Sequence, residues 1–174
     1  MGRILTYIFI SLIIIATGLF QGCGTSECLG NQSSIPLAGL YSADTEKEIS
    51  IDSITVYGYD APNDSMLLNN AQGIEQVYLP LRINMTETQY IFHYDQKAIS
   101  AIENNDTITL KYTSKPYFDS FECGAMYQFE VTELTYTQHI MDSVGLVSKF
   151  ITNADVETIK IFLKTTEPKK ESEQ

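Results

Sequence analysis

The side chain with the most defined chemistry is the thiol of Cys23. It follows an apolar run at residues 4–20, opened by Arg3 and closed by Gln21 and Gly22. A basic start, an apolar middle and a small residue before a cleavage point make a secretory leader. A Cys at the first position after the cut matches a bacterial lipobox, in which the sulfur is diacylated before the leader is removed. Gly22 fits that pattern; Phe20 and Gln21 stand where a Leu and a small residue are usual. Two rivals stay open. One is an uncleaved anchor, since roughly 17 apolar residues lie near the lower limit for a spanning helix; the other is plain secretion. Acyl chains contribute about 0.8 kcal/mol per buried CH₂, so a multiply acylated Cys23 would hold the chain firmly on a bilayer.

Cys28 and Cys123 are the remaining thiols. An envelope compartment outside the cytosol permits a disulfide, and with Cys23 acylated the two form the only pair. Closing a loop of about 95 residues would contribute up to roughly 4.7 kcal/mol in the chain-entropy account. Two free thiols are the alternative. No CxxC occurs and no His neighbours either Cys in sequence, which disfavours a zinc site or a redox dithiol.

Other reactive groups are sparse. The only histidines are His93, in an aromatic run, and His139. Both are expected to serve structure, and no GxSxG element offers a nucleophile. Asp60, Asn63 and Asp64 put oxygens in one loop, but without EF-hand spacing, so turn chemistry is the better account. No metal, cofactor or catalytic residue is expected. Paired carboxylates for a hydrolase cannot be chosen from 22 acids by sequence.

Asp is followed by Ser or Thr at six of its nine positions, where composition predicts about 1.6. Asp and Ser open turns before apolar strands, which accounts for much of this excess.

Composition bounds the partners. The chain has 174 residues and a formal charge of −11. Removing a leader with one Arg and no acid makes the charge −12. Nucleic acid is therefore excluded as an expected partner, since phosphate binding needs clustered Lys and Arg. The acidic body also does not favour electrostatic docking on anionic lipid, which leaves anchoring to the acyl chains. About 150 mature residues suit one domain. Residues 1–22 read as leader, 23–34 as a polar lipidated tether, 35–164 as the domain and 165–174 as a charged disordered tail.

The domain reads as strands almost throughout. Period-two alternation of β-branched and aromatic residues marks Ile54 to Tyr59, Val77 to Arg82, Tyr90 to Tyr94, Thr107 to Tyr112, Tyr127 to Thr132 and Ile159 to Leu163. Turns are expected at residues 60–64, 69–70, 103–106 and 153–155. Residues 95–104 are the one short helical candidate. Many short strands between turns predict an all-β, antiparallel β-sandwich of immunoglobulin-like type.

The tether cysteine, Val56-Tyr57-Gly58, Val77 to Leu81, Leu110 to Thr113 and the Glu122-Cys123-Gly124 element before Tyr127 and Phe129 together resemble an uncharacterised family of Bacteroidota lipoproteins. The resemblance spans residues 23–164. It implies an envelope β-sandwich with no assigned activity. It also implies O-glycosylation at Asp-Ser/Thr followed by an aliphatic or Met residue, with Ser53, Ser65, Thr107 and Ser143 as candidate acceptors.

The expected function is that of a lipid-anchored envelope β-sandwich, held on the membrane through Cys23 and acting as a non-catalytic protein-interaction or structural module. The outer membrane is the favoured bilayer, with the face left open. A glycan-binding module is the first alternative, because sugars stack on aromatic rings and an exposed row of Tyr57, Tyr59 and Tyr117 would provide them. A hydrolase is the second.

Overall fold

A computed structural model describes residues 33–62, 65–96, 104–120 and 124–164. Ten strands form two packed sheets, as the alternation predicts, and no α-helix occurs among the described residues. The strands are β1 (Leu37–Ser42), β2 (Ile54–Gly58), β3 (Met66–Ala71), β4 (Gln76–Tyr78), β5 (Glu87–Tyr94), β6 (Asp106–Ser120), β7 (Gly124–Tyr136), β8 (Met141–Leu146), β9 (Phe150–Ile151) and β10 (Glu157–Leu163). One sheet has the order β4-β1-β10-β8 and the other β3-β2-β5-β6-β7-β9.

Alternation decides which side chains meet. Tyr90, Phe92 and Tyr94 of β5 point inward with Ile108, Leu110 and Tyr112 of β6. From the other sheet, Ala38 and Leu40 of β1 and Ile159, Ile161 and Leu163 of β10 face them. Side chains at i, i+2 and i+4 share one face of a strand, so each run supplies one wall of the core. Burying a large apolar side chain contributes about 1.5–3 kcal/mol, which makes these rows the main source of stability.

β1 departs from the pattern. It is buried along its whole length, and it pairs with β10 in parallel while every other pair is antiparallel. Its inner face packs on the core. Over its outer face lie the Tyr41 ring and the Glu157 carboxylate, so a Cβ on Gly39 would have to push these two side-chain ends aside. Sequence reading passed over this strand because a segment buried on both faces shows no alternation.

Two further departures follow from register. The run predicted at Val77 to Arg82 stops at Tyr78, because Pro80 lacks a ladder donor; Leu79 instead turns fully into the core. Asn69 and Asn70, expected as a turn, lie inside edge strand β3. There Asn70 takes φ 43° and the pairing with β2 slips twice. Asn tolerates the left-handed region, and an irregular edge resists further strand pairing. The helical candidate at 95–104 lies largely outside the described residues.

The registers give the sandwich two distinct ends. β1, β3, β5 and β10 begin at one end and β2, β4 and β8 finish there. At this end β6 runs nine residues past Lys111, its last partner to β5, and returns as β7. This is the hairpin end. The opposite end holds the start of β6 at Asp106 and the finish of β10. The described chain enters at the hairpin end and leaves at the other.

Candidate functional site

At the Asp106 end, one carboxylate gathers five donors. Asp106 is fully buried. Its Oδ1 accepts from the Thr137 hydroxyl at 2.9 Å and from the His139 amide at 2.8 Å. Its Oδ2 accepts from the Ile140 and Met141 amides at 2.8 and 2.7 Å and from the Tyr94 hydroxyl at 3.1 Å. Three consecutive backbone N–H groups at the β7–β8 turn are thereby satisfied by a residue more than thirty positions earlier. A buried charge is tolerated when paired or hydrogen-bonded to this degree. Burial, and then the neighbouring Asp106 charge, pushes the Tyr94 phenol well above its usual range.

Both histidines attach to the residue before this carboxylate. His93 Nδ1 lies 2.7 Å from Asn105 Oδ1, and its Nε2 lies 3.5 Å from Asp95 Oδ1. His139 Nδ1–H donates to the Asn105 carbonyl at 2.7 Å. Asp95 in turn accepts from the buried Thr55 hydroxyl at 2.7 Å. These contacts join β2, β5, β6 and the β7–β8 turn. The imidazoles thus brace strands, and no group of metal-ligand residues gathers among the described residues.

On the outer face of the four-stranded sheet, the Tyr41 hydroxyl donates to Glu157 at 2.8 Å beneath Lys160, whose Nζ lies 4.5 Å from the ring centre. Burial first, then the bond and charge of Glu157, push the Tyr41 phenol up to about 12. This cluster closes over Gly39 and is part of how β1 is held.

The hairpin end is built differently. Residues 79–82 cross from one sheet to the other, and two buried phenols pin them. Tyr90 donates to the Pro80 carbonyl at 2.6 Å. Tyr112 donates to the Arg82 carbonyl at 3.0 Å and accepts from the Arg82 amide at 3.0 Å. Its single proton being used, Tyr112 accepts from the Thr88 hydroxyl at 2.7 Å. Burial raises the Tyr90 phenol far above its usual range. Against this crossing lies a hollow of about 140 Å³, floored by Tyr90 and Pro80 and walled by Tyr59, Leu67 and Arg82. Tyr59 is 60 % exposed at its mouth. A neighbouring depression of about 210 Å³ shares Gly58, Tyr59, Ala61 and Ser65 with it. Arg82 donates from Nη1 to the Asp60 carbonyl at 3.3 Å, while its Nε is buried without a hydrogen-bond partner among the described residues. An apolar hollow with one cation on its wall suits an apolar group carrying an anion.

The residues singled out by sequence are scattered. Cys23, Cys28 and Cys123 lie outside the described residues, as do Asn63 and Asp64 of the oxygen-rich loop. Ser53 is half-buried with φ 59°, and its hydroxyl accepts from Gln72 at 3.0 Å. Thr107 is half-buried in interior strand β6, where its amide donates to Thr137. Ser143 is half-buried on edge strand β8, and Ser65 is exposed in the loop before β3. Two of the four preceding acids do turn chemistry: Asp52 accepts the Gly73 amide at 2.7 Å, and Asp106 is the buried hub. Tyr57, Tyr59 and Tyr117 form no row. Tyr57 is level with Ile91 and Thr107, and Tyr117 lies ten residues further along β6, about 33 Å at the strand rise. Sequence reading missed Asp106 and Arg82 as site residues; an acid opening an apolar strand and a lone Arg after Pro80-Leu81 were the available signals.

These features define an all-β sandwich whose polar clusters brace the fold and which carries an apolar hollow with a cation on its wall at the hairpin end. Residues 53–163 match a family of unknown function (DUF6452), and the chain belongs to that family. No curated protein and no solved structure matches the chain. The matched span begins at β2 and omits β1, although β1 is an interior strand of its sheet.

Proposed function

We propose that this chain is a lipid-anchored, non-catalytic binding module of the cell envelope, tethered through Cys23, with the hairpin-end hollow as its ligand site. The observation that carries the binding role is Arg82: a guanidinium on the wall of an apolar hollow, its buried Nε without a hydrogen-bond partner among the described residues, in a chain of net charge −11. The Nδ1 atoms of both histidines, together with Asp95 and Asp106, make contacts that tie strands together, which supports the non-catalytic reading. The ligand chemistry is an apolar group beside an anion. The Cys28–Cys123 bridge belongs to the same proposal, supported by chain direction: Ser33 and Gly124, which follow the two segments, both lie at the hairpin end. Of the four candidate acceptors for O-linked sugar, Ser65 has the most accessible position; an intact mass equal to acylated polypeptide alone would remove that modification.

A photo-reactive residue replacing Leu67, in the natively processed chain within its own envelope, tests the site. The expected result is one defined adduct, lost when Arg82→Ala is added. An adduct yield no higher than from the same reactive residue at Lys47, at the opposite end, refutes the hollow as a binding site.

A further inference from the structure

The twelve exposed large hydrophobic side chains among the described residues are not spread over the surface. Phe118 and Tyr127 stand on the part of the β6–β7 hairpin that outruns β5, Phe118 being 60 % exposed. Tyr78, Ile83 and Met85 lie at the end of β4 and in the crossing that follows it. Leu146, Val147, Phe150 and Val156 lie where β8 finishes, β9 passes and β10 begins, with the Val147 amide on the Thr158 carbonyl at 2.8 Å. Tyr59 follows the end of β2, and Met66 and Leu67 open β3 beside the hollow. All of these positions belong to the hairpin end or border the hollow that opens there. The Asp106 end exposes none of this class among the described residues.

Charge does not separate the two ends. At the hairpin end Lys111 and Lys149 pair with Glu133 and Glu130, and Arg82 and Lys115 share that end with Asp60, Glu87, Asp155 and Glu157. The opposite end carries Asp44, Glu46, Asp52, Asp95 and Asp142 against Lys47 and Lys164, so the exposed apolar side chains are what set the hairpin end apart. Scattered apolar side chains need no explanation on a soluble surface, but a set confined to one end marks a contact surface. Aromatic rings with a polar edge, such as Tyr59, Tyr78 and Tyr127, suit the headgroup level of a bilayer.

What covers this end follows from where the chain enters. Ser33 leads into β1 at the hairpin end. Only residues 23–32 separate it from Cys23, a reach of at most about 35 Å when fully extended. An acyl anchor at Cys23 is therefore attached at the end that carries the exposed apolar side chains. We infer that the hairpin end rests on the bilayer surface itself, with Phe118, Tyr127 and Tyr59 at the headgroup level and the Asp106 end turned away. This inference rests on the anchored reading proposed above and adds a second, non-covalent lipid contact made by the folded domain.

The chain has no Trp, so single reporters can be read against a dark background. Three variants of the natively processed full chain are compared in phospholipid vesicles with brominated acyl chains: Phe118→Trp, Tyr59→Trp and, at the far end, Lys47→Trp. The expected result is blue-shifted, bromine-quenched emission from the first two and unquenched, water-exposed emission from the third. A chain that floats with the vesicles while all three reporters stay unquenched overturns the docking and leaves the anchor standing. A chain that remains in the aqueous phase overturns the anchor. Blue-shifted but unquenched reporters at Phe118 and Tyr59 mean that a protein or a second copy covers the end, and quenching at Lys47→Trp overturns the orientation; either result refutes the inference.

Discussion

Asp106→Asn removes one acceptor oxygen and the charge from the most heavily bonded carboxylate described. The amide nitrogen must replace one of the two oxygens. Placed at the Oδ2 position it would oppose Tyr94 and the Ile140 and Met141 amides. Placed at Oδ1 it opposes only Thr137 and the His139 amide, which is the smaller loss. The part-buried His139 N–H is then left without its acceptor, which costs about 1–2 kcal/mol. The bonds kept at Oδ2 fall from charge-assisted to neutral strength, roughly 1 kcal/mol each. Relief of the buried charge offsets part of this, so a net loss of about 3–5 kcal/mol is expected, in line with breaking other buried charged networks. Against a total of 5–15 kcal/mol that is a large fraction. Urea unfolding followed by far-ultraviolet circular dichroism reads it. With a slope near 2 kcal/mol/M, the midpoint should fall by about 1.5–2.5 M at unchanged slope. Asp142→Asn is the control: Asp142 also precedes a Ser but is exposed, and its loss should stay within about 0.5 kcal/mol. Equal shifts for the two variants would refute Asp106 as the hub.

Three further outcomes are expected. Tyr41, Tyr90 and Tyr94 all have phenols raised above 10.0, chiefly by burial; the unfolded chain releases their protons near pH 10 while the folded chain keeps them, so stability is intact below pH 10 and falls above it. Three such groups remove about 4 kcal/mol by pH 11, and a denaturation midpoint that stays flat from pH 9 to 11 contradicts this. Gly39→Ala should cost about 1 kcal/mol, because its Cβ displaces the Glu157 carboxylate and the Tyr41 ring and breaks the hydrogen bond between them; a melting temperature equal to that of the parent refutes a stabilising role for that bond. A fragment limited to the family match, 53–163, lacks β1, so β4 and β10 lose their shared neighbour and Ala38 and Leu40 leave the core. It should show no cooperative thermal transition where 33–164 does, and a sharp transition from the shorter fragment contradicts that.

The legible parts of the fold were those governed by local alternation. Tyr90-Phe92-Tyr94 and Ile108-Leu110-Tyr112 were readable as core faces before any partner was known. Tyr127 continued the same alternation as Phe129 and Val131, yet it is 39 % exposed because the hairpin outruns the core. How far a strand extends past its neighbours depends on those neighbours' lengths, which period cannot report. Leu37–Ser42 and Met66–Ala71 were missed for opposite reasons, the first buried on both faces and the second exposed on a sheet edge. Neither gives an apolar–polar rhythm. Asp106 read as one of six Asp-Ser/Thr pairs, since nothing local distinguishes a buried hub from an exposed turn.

The sequence by itself determined an acidic, strand-built body with one half-faced row after another, because side-chain direction in a strand is set by its own backbone. The tertiary structure alone decided that β1 lies between β4 and β10, that Asp106 holds the β7–β8 turn, and that the exposed apolar groups share one end with the chain's entry. Each of those depends on segments far apart in the chain meeting in space, and the free energy of such meetings is not written in any single stretch.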